Sequence, residues 1–149
     1  MDGSIKQTFK TWEELTRDEL YAILQLRTEV FVVEQDCPYQ ECDGRDQDSV
    51  HLMLEKNGLV AYLRVVLPKP GQDPAIGRVV VKRSERMNGY GIDLMKSGIE
   101  WCRDHYPNQG IRISAQVYLK RFYEDLGFVG YGEEYLEDGI PHRAMRLEF

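Results

Sequence analysis

The segment from Ala75 to Tyr106 limits what this chain can become more than any other. It opens with Ile76 to Val81, an apolar run rich in β-branched residues, whose stiff side chains suit a pleated surface. A short polar stretch leads into Arg86-Met87-Asn88-Gly89-Tyr90-Gly91, followed by an amphipathic run to Tyr106 that Pro107 and Asn108 stop. The expected order is strand, glycine turn, helix. Ile111, Ile113 and Ala115 then alternate with Arg112, Ser114 and Gln116, the pattern of a second strand. With a helix as the crossover, that strand should run parallel to the first.

Gly89 and Gly91 lack a Cβ, so the backbone between strand and helix can turn tightly and approach a ligand. The first N–H groups of the helix then point outward at its positive end, which suits a pyrophosphate. Two common phosphate loops are excluded by spacing. A dinucleotide fingerprint needs a third glycine where Leu94 stands, and a P-loop needs Gly-Lys followed by Ser or Thr, which is absent. What remains is Arg-x-x-Gly-x-Gly, followed downstream by Tyr123-Glu124-Asp125-Leu126-Gly127-Phe128. In this order, with a strand between them, the two motifs resemble the coenzyme-binding region of the GNAT superfamily of N-acetyltransferases. The run Phe-Val-Val-Glu-Gln-x-Cys-x-Tyr-x-Glu-x-Asp-Gly-x-Asp, residues 31 to 46, is similar to the ElaA-type branch of that superfamily and extends the resemblance from Leu26 to the end.

Composition narrows the partners. A chain of 149 residues with 42% apolar and 30% charged residues is expected to be one globular domain, residues 1–149. No run approaches the roughly 20 apolar residues of a membrane span, and Met1 to Lys10 lacks a signal-peptide centre, so a cytoplasmic protein is expected. The net charge of −6 argues against nucleic acid and favours a cationic acceptor. Three cysteines, Cys37, Cys42 and Cys102, are expected as free thiols. Cys37, Cys42 and His51 match no standard zinc spacing and lack a fourth ligand, so no metal is expected. The oligomeric state is open, a homodimer included.

Along the chain, a strand is expected around Ile5 to Thr11, and Thr16 with Glu19 forms a capping box that starts the first helix. Leu20, Ile23, Leu24 and Phe31 recur at helical spacing, with Arg27 in the same stripe, either snorkelling or lining a site. An acidic connector follows. Within it Glu34 and Glu41 border apolar sequence, whereas Asp46 and Asp48 read as solvated. Val50 to Lys56 and Leu59 to Leu67 flank Asn57-Gly58 as a hairpin, with His51 and Arg64 polar in apolar surroundings. In the helix after the glycine turn, Ile92, Met95, Ile99 and Cys102 form the expected core stripe. A helix from about Val117 to Leu126 should close at Gly127, and two strands joined at Asp138-Gly139 end the chain.

The resemblance implies an α/β (α+β) fold with a mixed central sheet of about six to seven strands flanked by helices. Its two parallel strands would part to receive acetyl-CoA as a co-substrate. Val79, Val80 and Val81 would bond the pantetheine arm, and a backbone N–H near Val80 or Val81 would polarise the thioester. Arg86, Met87, Asn88, Gly89, Tyr90 and Gly91 would hold the pyrophosphate, and Gln116 stands where many relatives carry a coenzyme-binding asparagine. Tyr123 would protonate the departing thiolate. Glu34, with Glu41 and His51 as alternatives, would take the amine proton, and Arg27, Glu34, Glu41 and Arg64 would line the acceptor site. The implied reaction is acetyl transfer to a primary amine of a small molecule or peptide. A longer-chain acyltransferase, as in the acyl-homoserine-lactone synthases, and a non-catalytic acyl-CoA-binding module are the alternatives.

Overall fold

A computed structural model describes residues 4–149. Its elements run β1 (Lys6–Thr11), α1 (Arg17–Arg27), β2 (Ser49–Glu55), β3 (Leu59–Val66), β4 (Ala75–Val81), α2 (Tyr90–His105), β5 (Gly110–Gln116), α3 (Lys120–Glu124), β6 (Val129–Glu137) and β7 (Ile140–Glu148). The strands form one sheet of seven in the order β1-β2-β3-β4-β5-β7-β6. Every neighbouring pair is antiparallel except β4 with β5, joined by the α2 crossover.

Local chemistry fixes the ends of these elements. The Thr16 hydroxyl accepts from the Glu19 N–H while the Glu19 carboxylate accepts from the Thr16 N–H, closing the capping box. Asn57 and Gly58 both adopt positive φ in the three-residue loop 56–58 of the hairpin, with a register shift beside it at Leu54/Glu55. After α3, Phe128 N–H bonds the Tyr123 carbonyl and Gly127 N–H the Glu124 carbonyl, with Gly127 at φ 102°, so the helix ends in a Schellman cap.

The sheet is covered on both faces. Leu52, Leu54, Leu63 and Ile76 meet Leu94, Met95, Ile99 and Cys102 of α2. Met53, Tyr62 and Val80, on the opposite face, meet Ile23, Leu26 and Val30. Gly98 lets α2 lie close, since a Cβ there would stand 3.2 Å from Leu63 and 3.3 Å from Ile76. Several expected core positions differ, Leu20 and Leu24 being only half-buried and outside both clusters. Ile92 is 44% exposed, one turn outside the buried stripe. From Thr28 to Glu34 the chain winds as a π-helix, with Gln35 N–H reaching the Val30 carbonyl five residues back. Ile23, Leu26 and Val30 take the inward places at ordinary helical spacing, and Phe31, within the wider turn, only packs beside them.

Candidate active site

β4 and β5 are paired only at Ala75 and Arg112. The reason lies on the other edge of β4, where Arg64 partners Gly77 but Tyr62 partners Val80, so β4 carries one extra residue. Arg78 takes φ 52° in this bulge, which bends β4 away from β5. The gap opens into a cleft of about 370 Å³ walled by residues 76–81 of β4, by Ile113, Ser114 and Gln116 of β5, and by Phe122 and Tyr123. The expected parting of the parallel strands is therefore present, with Val79, Val80, Val81 and Gln116 on its walls. Beyond Ala75 the edge of β4 that faces β5 is unpaired, the stretch with the expected oxyanion donor at Val80 or Val81 included.

At one end of this cleft lies the glycine turn. Met87 at φ 73° and Gly89 at φ 78° flank Asn88, whose Nδ2 donates to the Glu85 carbonyl at 2.9 Å. Gly89 is the N-cap of α2 and brings no capping side chain, so the N–H groups of Tyr90 and Gly91 have no partner within the helix. Left-handed residues ahead of a bare helix start make a concave set of donors for an anion. Met87 contributes backbone alone, its side chain being fully exposed. A Cβ at Gly91 would meet Phe122 and Val81 at 3.8 and 3.9 Å, so this glycine sits where α2, α3 and the cleft wall converge. Arg86 bonds the Val81 carbonyl at 3.2 Å and spans the cleft to Glu34, at 2.5 and 2.9 Å.

Tyr123 faces the cleft from α3 and is 8% exposed, edge-on to Phe122 and Phe128. Burial pushes its phenol up to about 12, so it keeps its proton at neutral pH and can donate it.

Other expected site residues lie elsewhere. His51 is fully buried and borders neither cleft; its Nε2–H donates to the Asp46 carbonyl at 2.9 Å and its Nδ1 accepts from the Tyr62 hydroxyl at 2.5 Å. Burial lowers its pKa and keeps it neutral. It is a satisfied core group away from both clefts. Arg27 and Glu41 are likewise buried and leave the acceptor site: Arg27 bonds Glu41 at 2.9 Å and Asp46 at 2.7 Å. Asp46, expected in solvent, is buried and also bonds Arg64 at 3.0 Å, while Glu41 pairs with Arg78. Arg64 alone of the three reaches a cleft wall, paired there with Asp43. Glu34 does stand in the cleft, but the guanidinium of Arg86 holds its carboxyl below the usual range. That suits a partner for Arg86 better than a proton acceptor.

A polar cluster missing from the sequence reading lies at the narrow part of the cleft. The Tyr135 hydroxyl bonds Ser114 Oγ, which donates to Glu137 Oε1 at 3.3 Å, and His142 Nε2 stands 3.5 Å from Glu137 Oε2. Ser114 and Glu137 also border a second cleft of about 530 Å³ on the far side of the β4–β5 gap, shared with Gly77 and Arg78. The Cys37 thiol donates to the Asp138 carbonyl at 3.3 Å, so the loop after α1 touches the β6–β7 hairpin beside this gap. Only the alternation of Arg112, Ser114 and Gln116 hinted at a polar face here; the approach of Glu137 depends on β7 lying between β5 and β6.

A mixed sheet with parted parallel strands, a donor-lined turn at one mouth and a buried phenol between defines the acyl-CoA-dependent acyltransferase class. A family model described as an acetyltransferase (GNAT) domain matches residues 12–149, and the chain belongs to that family. Among curated relatives it is similar to ElaA of Escherichia coli, 45% identical over 139 residues and 91% of each chain. It is also similar to a UPF0039 protein of Schizosaccharomyces pombe, 45% identical over 98% of this chain and 99% of the relative. An acyl-CoA N-acyltransferase from Pseudomonas aeruginosa superposes with a TM-score of 0.92 at 45% identity, covering 97% of this chain and 99% of that one. The chain is thus an ElaA-like GNAT acyltransferase.

Proposed function

We propose that the protein transfers an acetyl group from acetyl-CoA to a primary amine of a small molecule or peptide, by direct attack within a ternary complex. The observation that carries this reading is the gap between β4 and β5, which runs from the bare N-terminus of α2 to the buried phenol of Tyr123. The pyrophosphate sits against the N–H groups at Gly89 to Gly91, with Arg86 beside it, and the pantetheine arm lies along residues 79–81 and Gln116. The thioester carbonyl then meets the β4 backbone that β5 leaves unpaired, where an N–H near Val80 or Val81 steadies the negative charge that builds on oxygen. The amine lone pair forms the C–N bond, the C–S bond breaks, and Tyr123 gives its proton to the leaving sulfur. Holding the two reactants in line supplies much of the acceleration. Among the described residues no helix is long and apolar enough to cross a bilayer. A cytoplasmic site of action accords with three free cysteines.

Tyr123→Phe tests the reading. Removing a general acid should lower turnover about 10²- to 10⁴-fold while acetyl-CoA affinity by calorimetry stays within about two-fold. Unchanged turnover would remove Tyr123 as the donor. Comparing acetyl-CoA with longer acyl donors fixes the acyl length the cleft accepts.

A further inference from the structure

The second cleft carries groups that the coenzyme does not use. At the throat it shares with the first cleft, Glu137 stands beside Ser114 and His142. Farther along, Arg112 lies on the same face of β5 as Ser114, two positions away, or about 7 Å along a strand. The buried Arg64 and the half-buried Arg78 of this cleft are matched by Asp43, Asp46 and Glu41. Arg112 has no ion-pair partner among the described residues; it is exposed, as is Arg45 of the same cleft, which likewise has no ion-pair partner among them. Asp73, the carboxylate within its electrostatic reach, is bonded instead to Arg146 at 2.8 Å. A carboxylate at the throat and an unmatched guanidinium a short distance away complement a molecule with a positive and a negative end.

We propose that the second cleft is the acceptor site and takes a compact amine bearing an anionic group, its ammonium at Glu137 and its anion at Arg112. This rests on the acyltransferase reading above and names the class of acceptor. Glu137 also receives the proton. His142 Nδ1–H donates to the Ile140 carbonyl at 2.6 Å, and its Nε2 stands 3.5 Å from Glu137 Oε2, where the two atoms can share a proton. The proton leaving the ammonium goes to the Glu137 carboxylate and is held between that oxygen and Nε2. The freed nitrogen lone pair attacks the acyl carbon and sulfur departs with the proton of Tyr123. Glu137 then releases its proton to solvent, from which Tyr123 regains one. Facing Glu137 are Ser114 of β5, Tyr135 of β6, His142 of β7 and the adjacent Asp138, with Arg78 and Tyr39 lining the same space.

The test measures thiol release from acetyl-CoA with α-amino acids and short ω-amino acids, alkylamines of the same length, and the corresponding diamines. The carboxylate-bearing acceptors should show kcat/KM about ten- to a hundred-fold above the alkylamines, the worth of one charge-assisted contact. Arg112→Gln should erase that preference and Arg112→Lys restore part of it. Glu137→Gln should lower kcat about a hundred-fold, keep acetyl-CoA affinity, and flatten the fall of kcat/KM toward acid pH. Preference for alkylamines or diamines, an unchanged acceptor order in Arg112→Gln, or an unchanged pH profile in Glu137→Gln would overturn the proposal. So would acetyl-CoA binding without transfer to any acceptor tried, which would leave the coenzyme cleft standing. Failure to bind acetyl-CoA at all would instead sink the acyltransferase reading and this inference with it.

Discussion

Replacing Arg27 with methionine asks whether the buried charges of this protein behave as one unit. Arg27 is fully buried; its Nε bonds Glu41, its Nη1 and Nη2 bond Asp46 at 2.7 and 3.2 Å, and its Cζ lies 5.8 Å from the Tyr62 ring. With Arg64, Arg78 and Asp43 the group balances three cations against three carboxylates. Methionine fills much of the volume but leaves one surplus negative charge out of water. Three charge-assisted bonds at their usual worth would sum to well over 5 kcal/mol; since Asp46 keeps Arg64 and Glu41 keeps Arg78, the loss should be about 3–5 kcal/mol. With a urea slope of about 2 kcal/mol/M, the unfolding midpoint followed by circular dichroism should drop by about 2 M. The thermal midpoint should fall by about 10 °C. A drop below about 0.5 M in urea would mean that the pairs are screened like surface pairs, and the reasoning would fail.

Other outcomes follow from the same geometry. Gly91→Ala should bind acetyl-CoA normally, because its Cβ has room, whereas Gly91→Trp should weaken binding by at least about a hundred-fold in calorimetry by filling the helix start. Glu34→Gln frees Arg86 for the pyrophosphate and should tighten acetyl-CoA about two- to five-fold at low salt, an effect that added salt removes. Burial pushes the carboxyls of Asp43 and Asp46 up, but their arginine partners overcome it and hold both below the usual range. Their stabilisation is therefore complete above the unfolded value of about 3.9 and lost as pH falls through the folded values. Urea midpoints should decline below about pH 4, less steeply in Asp46→Asn than in the parent protein.

What could be read ahead of the structure was local. The Asn57-Gly58 hairpin, the Thr16 capping box and the turn at Gly89 each depend on residues within a few positions of one another. Three features depended on distant packing. The π-turn after Arg27 ends the regular helix and leaves Phe31 at the margin of the core, which the sequence does not announce. Arg27 and Glu41 looked like lining of a site because each is a charge beside apolar sequence, yet they neutralise each other across fourteen positions. The cluster of Ser114, Glu137 and His142 forms because β7 inserts between β5 and β6, an order that strand patterns do not specify. The bulge at Arg78 follows Gly77, and a glycine inside a strand pattern is the one local mark it leaves in the sequence.

The touch between Cys37 and Asp138 has a kinetic corollary. The two residues edge the first cleft and Asp138 also the second, so the two clefts open as separate approaches to the groups they share. Addition of the two ligands should then be random in order, and the spent thiol can leave while the amide still occupies its half of the passage.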